Sequence, residues 1–272
     1  MKKMITAIVL MAAMVHGVSA QSTKRIILTQ DTSANNIVAI DPTDGDAVEY
    51  TSINLSAPDI KHITSCLPAE IALVEGEEGS ITISYPTVEE EYVKFAVKGG
   101  ELIMGRNGDV KIPKNTILSE LVPIKVTIAA SNISKIHSLE TDLELSIERD
   151  KFASSLEIIA SGAVGINGES ITADKSINIV SFGTMTLHVK ELKTHKLEIA
   201  NQSYLHIDAS TTAQDIEHIS HGIDSITLDV DCKKLLIVSN GAGVVTYTGS
   251  AENLDVIARG KAIISTSELN ME

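Results

Sequence analysis

Six segments between Leu156 and Ile264 can be laid over one another. They are LEIIASGAVGI from Leu156, INIVSFGTMTL from Ile177, LEIANQSYLHI from Leu197, IEHISHGIDSI from Ile216, LLIVSNGAGVV from Leu235 and LDVIARGKAII from Leu254. Their starts lie 21, 20, 19, 19 and 19 residues apart. So short a repeat buries its apolar face only by stacking on its neighbours, which marks a solenoid. Apolar residues alternate inside each segment, so the coils are β-strand rather than helix. The expected fold is all-β: a right-handed parallel β-helix, a single-stranded solenoid of 19–21 residues per turn, preceded by further strands and a hairpin.

Three columns of the alignment are aliphatic. The first is Leu156, Ile177, Leu197, Ile216, Leu235 and Leu254. Two residues on come Ile158, Ile179, Ile199, His218, Ile237 and Val256, and the last is Ile166, Leu187, Ile207, Ile226, Val245 and Ile264. Stacked about 4.8 Å apart, these fill an interior, each side chain contributing about 1.5–3 kcal/mol before its ordering cost. Between them run a small column (Ala160, Ser181, Asn201, Ser220, Ser239, Ala258) and a glycine column (Gly162, Gly183, Ser203, Gly222, Gly241, Gly260). The glycines predict a corner, through positive φ or a close backbone approach.

A further column (Ile159, Val180, Ala200, Ile219, Val238, Ile257) should point outward on strict alternation. An apolar stripe of that length marks an interface or a covered surface. The first expectation is cover by the strands before Val126, the second is self-association along the stripe, and the third is a local bend turning it inward.

The rest of the chain divides at the sequence level into three parts. Residues 1–20 read as a secretory signal peptide: Lys2 and Lys3, an apolar run from Ile5 to Val15, and a Val18-Ser19-Ala20 cleavage site. Residues 21–125 form a β-rich section expected to pack on the solenoid, and residues 126–272 carry the repeats. Pieces at Arg25–Thr29 and Asn36–Ile40 read as a leading strand pair or an arm. Tyr92–Val97 and Glu101–Met104, joined by Gly99-Gly100, read as a hairpin. Val126, Ile128, Ala130, Asn132 and Ile136 suggest a faint first repeat aligned with Leu156, Ile158, Ala160, Gly162 and Ile166. A strand or loop is expected to be inserted at Thr141–Ile147.

The order of these motifs resembles a known family. Ile71–Gly76, Ser80–Ser84, Val93–Met104, Ile124–Ile128 and the repeats from Leu156 follow the pattern of the auto-transporter adhesin, head GIN-domain family, secreted proteins common in Bacteroidetes. The resemblance spans about Ile60 to Leu269. It implies a β-helix-like fold, export and an adhesive role, and it supplies no catalytic residues.

Composition narrows the function classes. Loss of Lys2 and Lys3 takes the formal charge from −14 to −16, which disfavours nucleic acid as a partner. With 3% aromatic residues and no Trp, few aromatic platforms can be built. Cys66 and Cys232 stand alone, outside any CxxC, so they either pair or remain two buried thiols. His206, His218 and His221 are the nearest thing to a metal cluster. However, His218 should face inward beside a backbone partner and His221 outward, so no metal or cofactor is expected. Asp208, Asp224, Asp229 and Asp231 fall on different strand positions, unlike the paired acids of a glycan-cleaving β-helix. Tyr204, His206 and Tyr247 could form a small outward patch, but scattered surface aromatics are the first reading, and no site is assigned to them. The expectation is a non-enzymatic exported adhesin touching a cell-surface glycan or protein through an extended face. A polysaccharide-processing enzyme and a purely structural envelope protein are the alternatives.

Overall fold

The computed structural model describes residues 27–30, 37–40, 47–107, 122–149 and 151–271. Residues 1–20, with the expected signal peptide, lie outside them. The N-terminal strands are β1 (Ile27–Gln30), β2 (Ile37–Ile40), β3 (Ala47–Ser56), β4 (His62–Ser65), β5 (Ala69–Leu73), β6 (Ser80–Pro86), β7 (Val93–Lys98), β8 (Glu101–Arg106) and β9 (Ile124–Ala129). They are followed by β10 (Lys135–Ser138), β11 (Leu143–Ile147), β12 (Ser155–Ala160), β13 (Ala163–Ser181), β14 (Thr184–Asn201), β15 (Tyr204–Ser220), β16 (Ile223–Ser239), β17 (Ala242–Ala258) and β18 (Lys261–Met271).

From β12 to β18 every pairing is parallel and follows chain order, so the fold is a β-solenoid. The register places each expected column member on the one before it: Leu156 on Ile177, then Leu197, Ile216, Leu235 and Leu254. All three aliphatic columns are buried through Leu235, Ile237 and Val245 and become more exposed only in the last coil.

The corner is built from two columns acting together. A Cβ on Gly162, Gly183, Gly222, Gly241 or Gly260 would lie 1.9–2.2 Å from a carbonyl oxygen of the preceding coil. Close approach, not positive φ, therefore selects glycine there. The small column supplies the hydrogen bonds. Ser138 Oγ donates to the Thr141 carbonyl at 2.6 Å, Ser181 Oγ to that of Gly183 at 2.9 Å, and Asn201 Oδ1 accepts from Ser203 N–H at 3.0 Å. Side chains thus add hydrogen bonds to the backbone at the corner, beside those that neighbouring coils make there.

The start of the stack departs from the sequence reading. β4 lies between β8 and β10, and β5 between β9 and β11, all in parallel. The β4–β5 coil is therefore threaded out of order, and the chain passes from β9 over that coil to β10. Val126 consequently stacks with Ile71 and Leu145 in the Ile166 column, while Ile136 joins Ile158. The expected alignment of Val126 with Leu156 is wrong for this reason. Likewise Leu143–Ile147 is no insertion but an ordinary member of the stack, paired with β5 and β13. Ser65 occupies the same small column and uses the same device, donating to the Leu67 carbonyl at 2.6 Å.

Antiparallel strands close this end. β7 folds back on β8 through Gly99 and Gly100, both at positive φ, as the hairpin spacing predicts. β6 pairs with β9 and β3 with β6, while β1, β2 and β3 form an antiparallel ribbon. β6 leads into a 3-10 turn, Thr87–Glu89, which buries the Glu89 side chain; its Oε1 accepts from Val122 N–H at 3.2 Å. Burial pushes the Glu89 carboxyl up to about 7, against the lowering effect of that hydrogen bond. The folded state therefore holds the proton more tightly than the unfolded state. The resulting stability is complete below the unfolded value, about 4.3, and is lost as pH rises through about 7. Glu89→Gln should accordingly become more stable relative to wild type between pH 5 and pH 8. Thermal melts across that range check it; parallel curves would refute it.

Candidate functional site

The solenoid presents an interior, an outward face after the glycine corner, and the outward stripe before it. The interior holds an unexpected polar cluster. His218 sits in an isoleucine column, Asp224 in the column of Val164, Met185 and Leu205, and Tyr247 above Leu228. All three are buried, together with Asn201. Tyr247 Oη lies 3.1 Å from His218 Nδ1, and Asn201 Nδ2 donates to Asp224 Oδ1 at 2.7 Å. His218 Nε2 faces Asp224 Oδ2 at 3.4 Å, a contact outside hydrogen-bond geometry, and neither atom has another hydrogen-bond partner. With the phenol donating to Nδ1, the ring N–H lies on Nε2, on the side of Asp224.

Burial alone would raise the Asp224 carboxyl, but the His218 ring, Ser220 and Asn201 together hold it below the usual carboxylate range. Burial also pushes the Tyr247 phenol far up, so it stays protonated and can donate. In composition this is a Tyr–His–Asp relay, but it is sealed inside the coil, out of reach of a substrate.

Two expectations are corrected here. Tyr247 is fully buried, so no outward patch of Tyr204, His206 and Tyr247 forms. His218 is buried as expected, but its partners are side chains rather than backbone. Strict alternation carries the signal that was missed: Tyr247 is two residues from inward Val245, and Asp224 two from inward Ile226. His206 lies on the outer face, and the interior placement of His218 keeps it apart from that histidine. Among the described residues no three His, Cys, Asp or Glu side chains are grouped to hold a metal. Cys66 and Cys232 are both free. Burial, with Asp231 and Asp215 nearby, raises the Cys232 thiol to about 11, leaving it unreactive.

The face after the corner carries polar ladders. Thr186, His206 and Ser225 stack in one column, and Asn167, His188, Asp208, Thr227 and Thr246 in the next. His188 and His206 meet edge-on, ring centroids 5.3 Å apart, and His206 Nδ1 lies 3.1 Å from Ser225 Oγ. Tyr204 stands half-exposed at the start of the face.

Beside the histidines runs a groove of about 460 Å³ lined by His188, Val189, Lys190, Asp208 and Ser210. Lys190 pairs with Glu169, and Ser210 Oγ donates to the Lys190 carbonyl at 2.9 Å. A second groove of about 450 Å³, on the following face, is lined by Asp174, His195, Gln214, Asp231, Lys233 and Glu252 among others.

These grooves explain the uneven repeat. The pairing of β13 with β14 slips between Ala173 and Ser176, and that of β14 with β15 between His188 and Glu191. Each slip is one extra residue, which accounts for spacings of 21 and 20 before the regular 19. Asp174 lies at the first bulge and lines one groove; Val189 and Lys190 form the second and line the other. Bulges re-aim side chains and bend a strand, so each opens the surface where it occurs.

Among the described residues, the strands before Val126 do not lie over the outward stripe. Ile159, Val180, Ala200, Ile219 and Val238 are half-buried and Ile257 exposed. The N-terminal strands lengthen the stripe instead of lying over it, since Ile103, Thr64 and His137 stack in the same column. Next to it run the ion pairs Lys135–Glu157 and Lys196 with Glu198 and Glu217.

The sequence profile described as "Putative auto-transporter adhesin, head GIN domain" matches residues 60–190 and again 183–272. The chain belongs to that family. Three solved bacterial structures are similar to this GIN-domain protein, each described as a "putative adhesin". That from Bacteroides fragilis is 15% identical, with 79% of this chain and 95% of that one covered and a TM-score of 0.53. Those from Parabacteroides distasonis and Parabacteroides merdae are each 15% identical, with TM-scores of 0.48 and 0.46. They cover 79% and 80% of this chain and 97% and 96% of theirs. At these identities the Bacteroides likeness is one of fold. No functionally curated protein matches the sequence. Membership of an adhesin family makes this an exported or surface protein. No helix among the described residues is long and apolar enough to cross a membrane.

Proposed function

We propose that this GIN-domain protein is a non-enzymatic adhesin that binds a cell-surface glycan along the outward face of β14–β17. The observation that carries the reading is the β14 bulge, which opens a groove beside the His188–His206 pair and Asp208. Imidazole edges, a carboxylate, hydroxyls and a half-exposed Tyr204 match a sugar's alternating hydroxyl and C–H surfaces. The polar ladders repeat coil by coil, so a polymer can make many weak contacts in register, and avidity replaces a deep pocket. Among the described residues the one buried acid–base relay, Tyr247–His218–Asp224, has no opening to such a ligand, which supports binding without turnover. Retention at the cell surface after export is the location that suits this role.

A glycan array probed with the protein, followed by product analysis of each bound polysaccharide, tests the reading. Binding with the polysaccharide unchanged is expected. Released fragments would make it an enzyme, and silence on a broad array would remove the glycan.

A further inference from the structure

The two ends of the solenoid differ. At the N-terminal end β6 and β7 cover the first coil with antiparallel strands. At the other end, among the described residues, β18 pairs only with β17, and Leu254–Ala258 has a neighbour on one side only. The columns end uncovered there: Val256 is 39% exposed, while Ile237 beneath it is fully buried. On the outer face Ile263 stacks on Val244, and the two are 67% and 53% exposed. An unpaired strand edge with open aliphatic columns is a template for another β-strand.

We propose that this edge docks end-to-end on the same edge of a second copy of the chain, about a two-fold axis near Ile263. Such a two-fold runs β18 antiparallel to β18 of the second copy, so the free N–H and C=O groups of each strand meet those of the other. Val244 and Ile263 then continue into Ile263 and Val244 of the second copy as one aliphatic ladder.

Charge selects the same partner. Arg259 and Lys261 stand at the beginning of the edge and Glu268 toward its end. The antiparallel two-fold brings the basic start of each strand to the acidic end of the other. A parallel contact would set like charges together. The register slip of β18 between Ser265 and Glu268 limits straight pairing to Lys261–Ser265, which centres the axis on Ile263. An isologous contact of this kind closes at two copies and cannot propagate. The stripe from Ile159 to Ile257 is a weaker candidate, because most of its residues are already half-buried among their neighbours.

Sedimentation velocity on the exported chain at about 10 µM, an ordinary range for self-association, tests the proposal. A dimer is expected. Ile263→Asp, at an exposed position, should leave the melting temperature unchanged and give a monomer. Arg259→Glu, opposite Glu268 once the extra residue of the slip is counted, should weaken the dimer about tenfold, and adding Glu268→Arg should restore it by exchanging the charges. Val180→Asp on the stripe should leave it intact. A wild-type monomer, a larger assembly, or a dimer that Val180→Asp breaks and Ile263→Asp does not would each overturn the proposal.

Discussion

Asp224→Ala should lower the unfolding free energy by about 3–5 kcal/mol, the range for removing one partner of a buried charged contact. The loss is large because a fully buried imidazole nitrogen is left facing no acceptor. His218 Nε2 loses the only polar atom facing it, and Asn201 loses its acceptor at 2.7 Å while keeping the Ile223 carbonyl at 3.1 Å. The penalty is for unpairing, not the net worth of the cluster. Changing the whole set to its column residues, with Asn201→Ser, His218→Ile, Asp224→Leu and Tyr247→Leu, should recover wild-type stability or exceed it. The wild type should also show an acid limb that both variants lack. Because the Asp224 carboxyl lies below its unfolded value when folded, its contribution is present above about pH 4 and is lost as pH falls further. Denaturant titrations at pH 3 and pH 7 read both effects. An Asp224→Ala variant as stable as wild type at pH 7 would mean that the cluster is not paired.

Gly243→Val should cost about 3 kcal/mol or more, combining backbone strain with steric overlap. Gly243 has φ of 116°, in territory essentially confined to glycine, and a Cβ there would stand 1.9 Å from the carbonyl oxygen of Asp224. It also lies directly above Asp224 in the stack, so any shift that relieved the clash would disturb the polar cluster. Thermal unfolding checks it; a melting temperature within a degree or two of wild type would show that the coils can separate locally.

The solenoid was legible because each coil repeats the same physical demand. Apolar side chains fall at fixed offsets, and glycine recurs where one backbone approaches the next. From Leu156 onward the columns read from spacing are the columns of the structure. The β4–β5 coil was not legible. Its strands are four and five residues long, and their partners lie tens of residues away, beyond any local period. The interior cluster could have been read, because alternation from Val245 and Ile226 sends Tyr247 and Asp224 inward. Residue type, polar and often external, argued the other way. The grooves were half legible: spacings of 21 and 20 declare an extra residue, but only the strand register shows where each bulge falls.

The central claim is that ligand is held on the outward ladder while the interior relay only supports the coil. The most direct measurement is binding of the strongest array glycan to folded wild type, His188→Ala/His206→Ala, and the four-residue interior variant. The outward double variant should keep its melting temperature and lose binding by at least about tenfold, as expected when central side chains of a contact surface are truncated. The interior variant should bind as wild type does. Full binding by the outward variant, or loss confined to the interior one, would contradict the account.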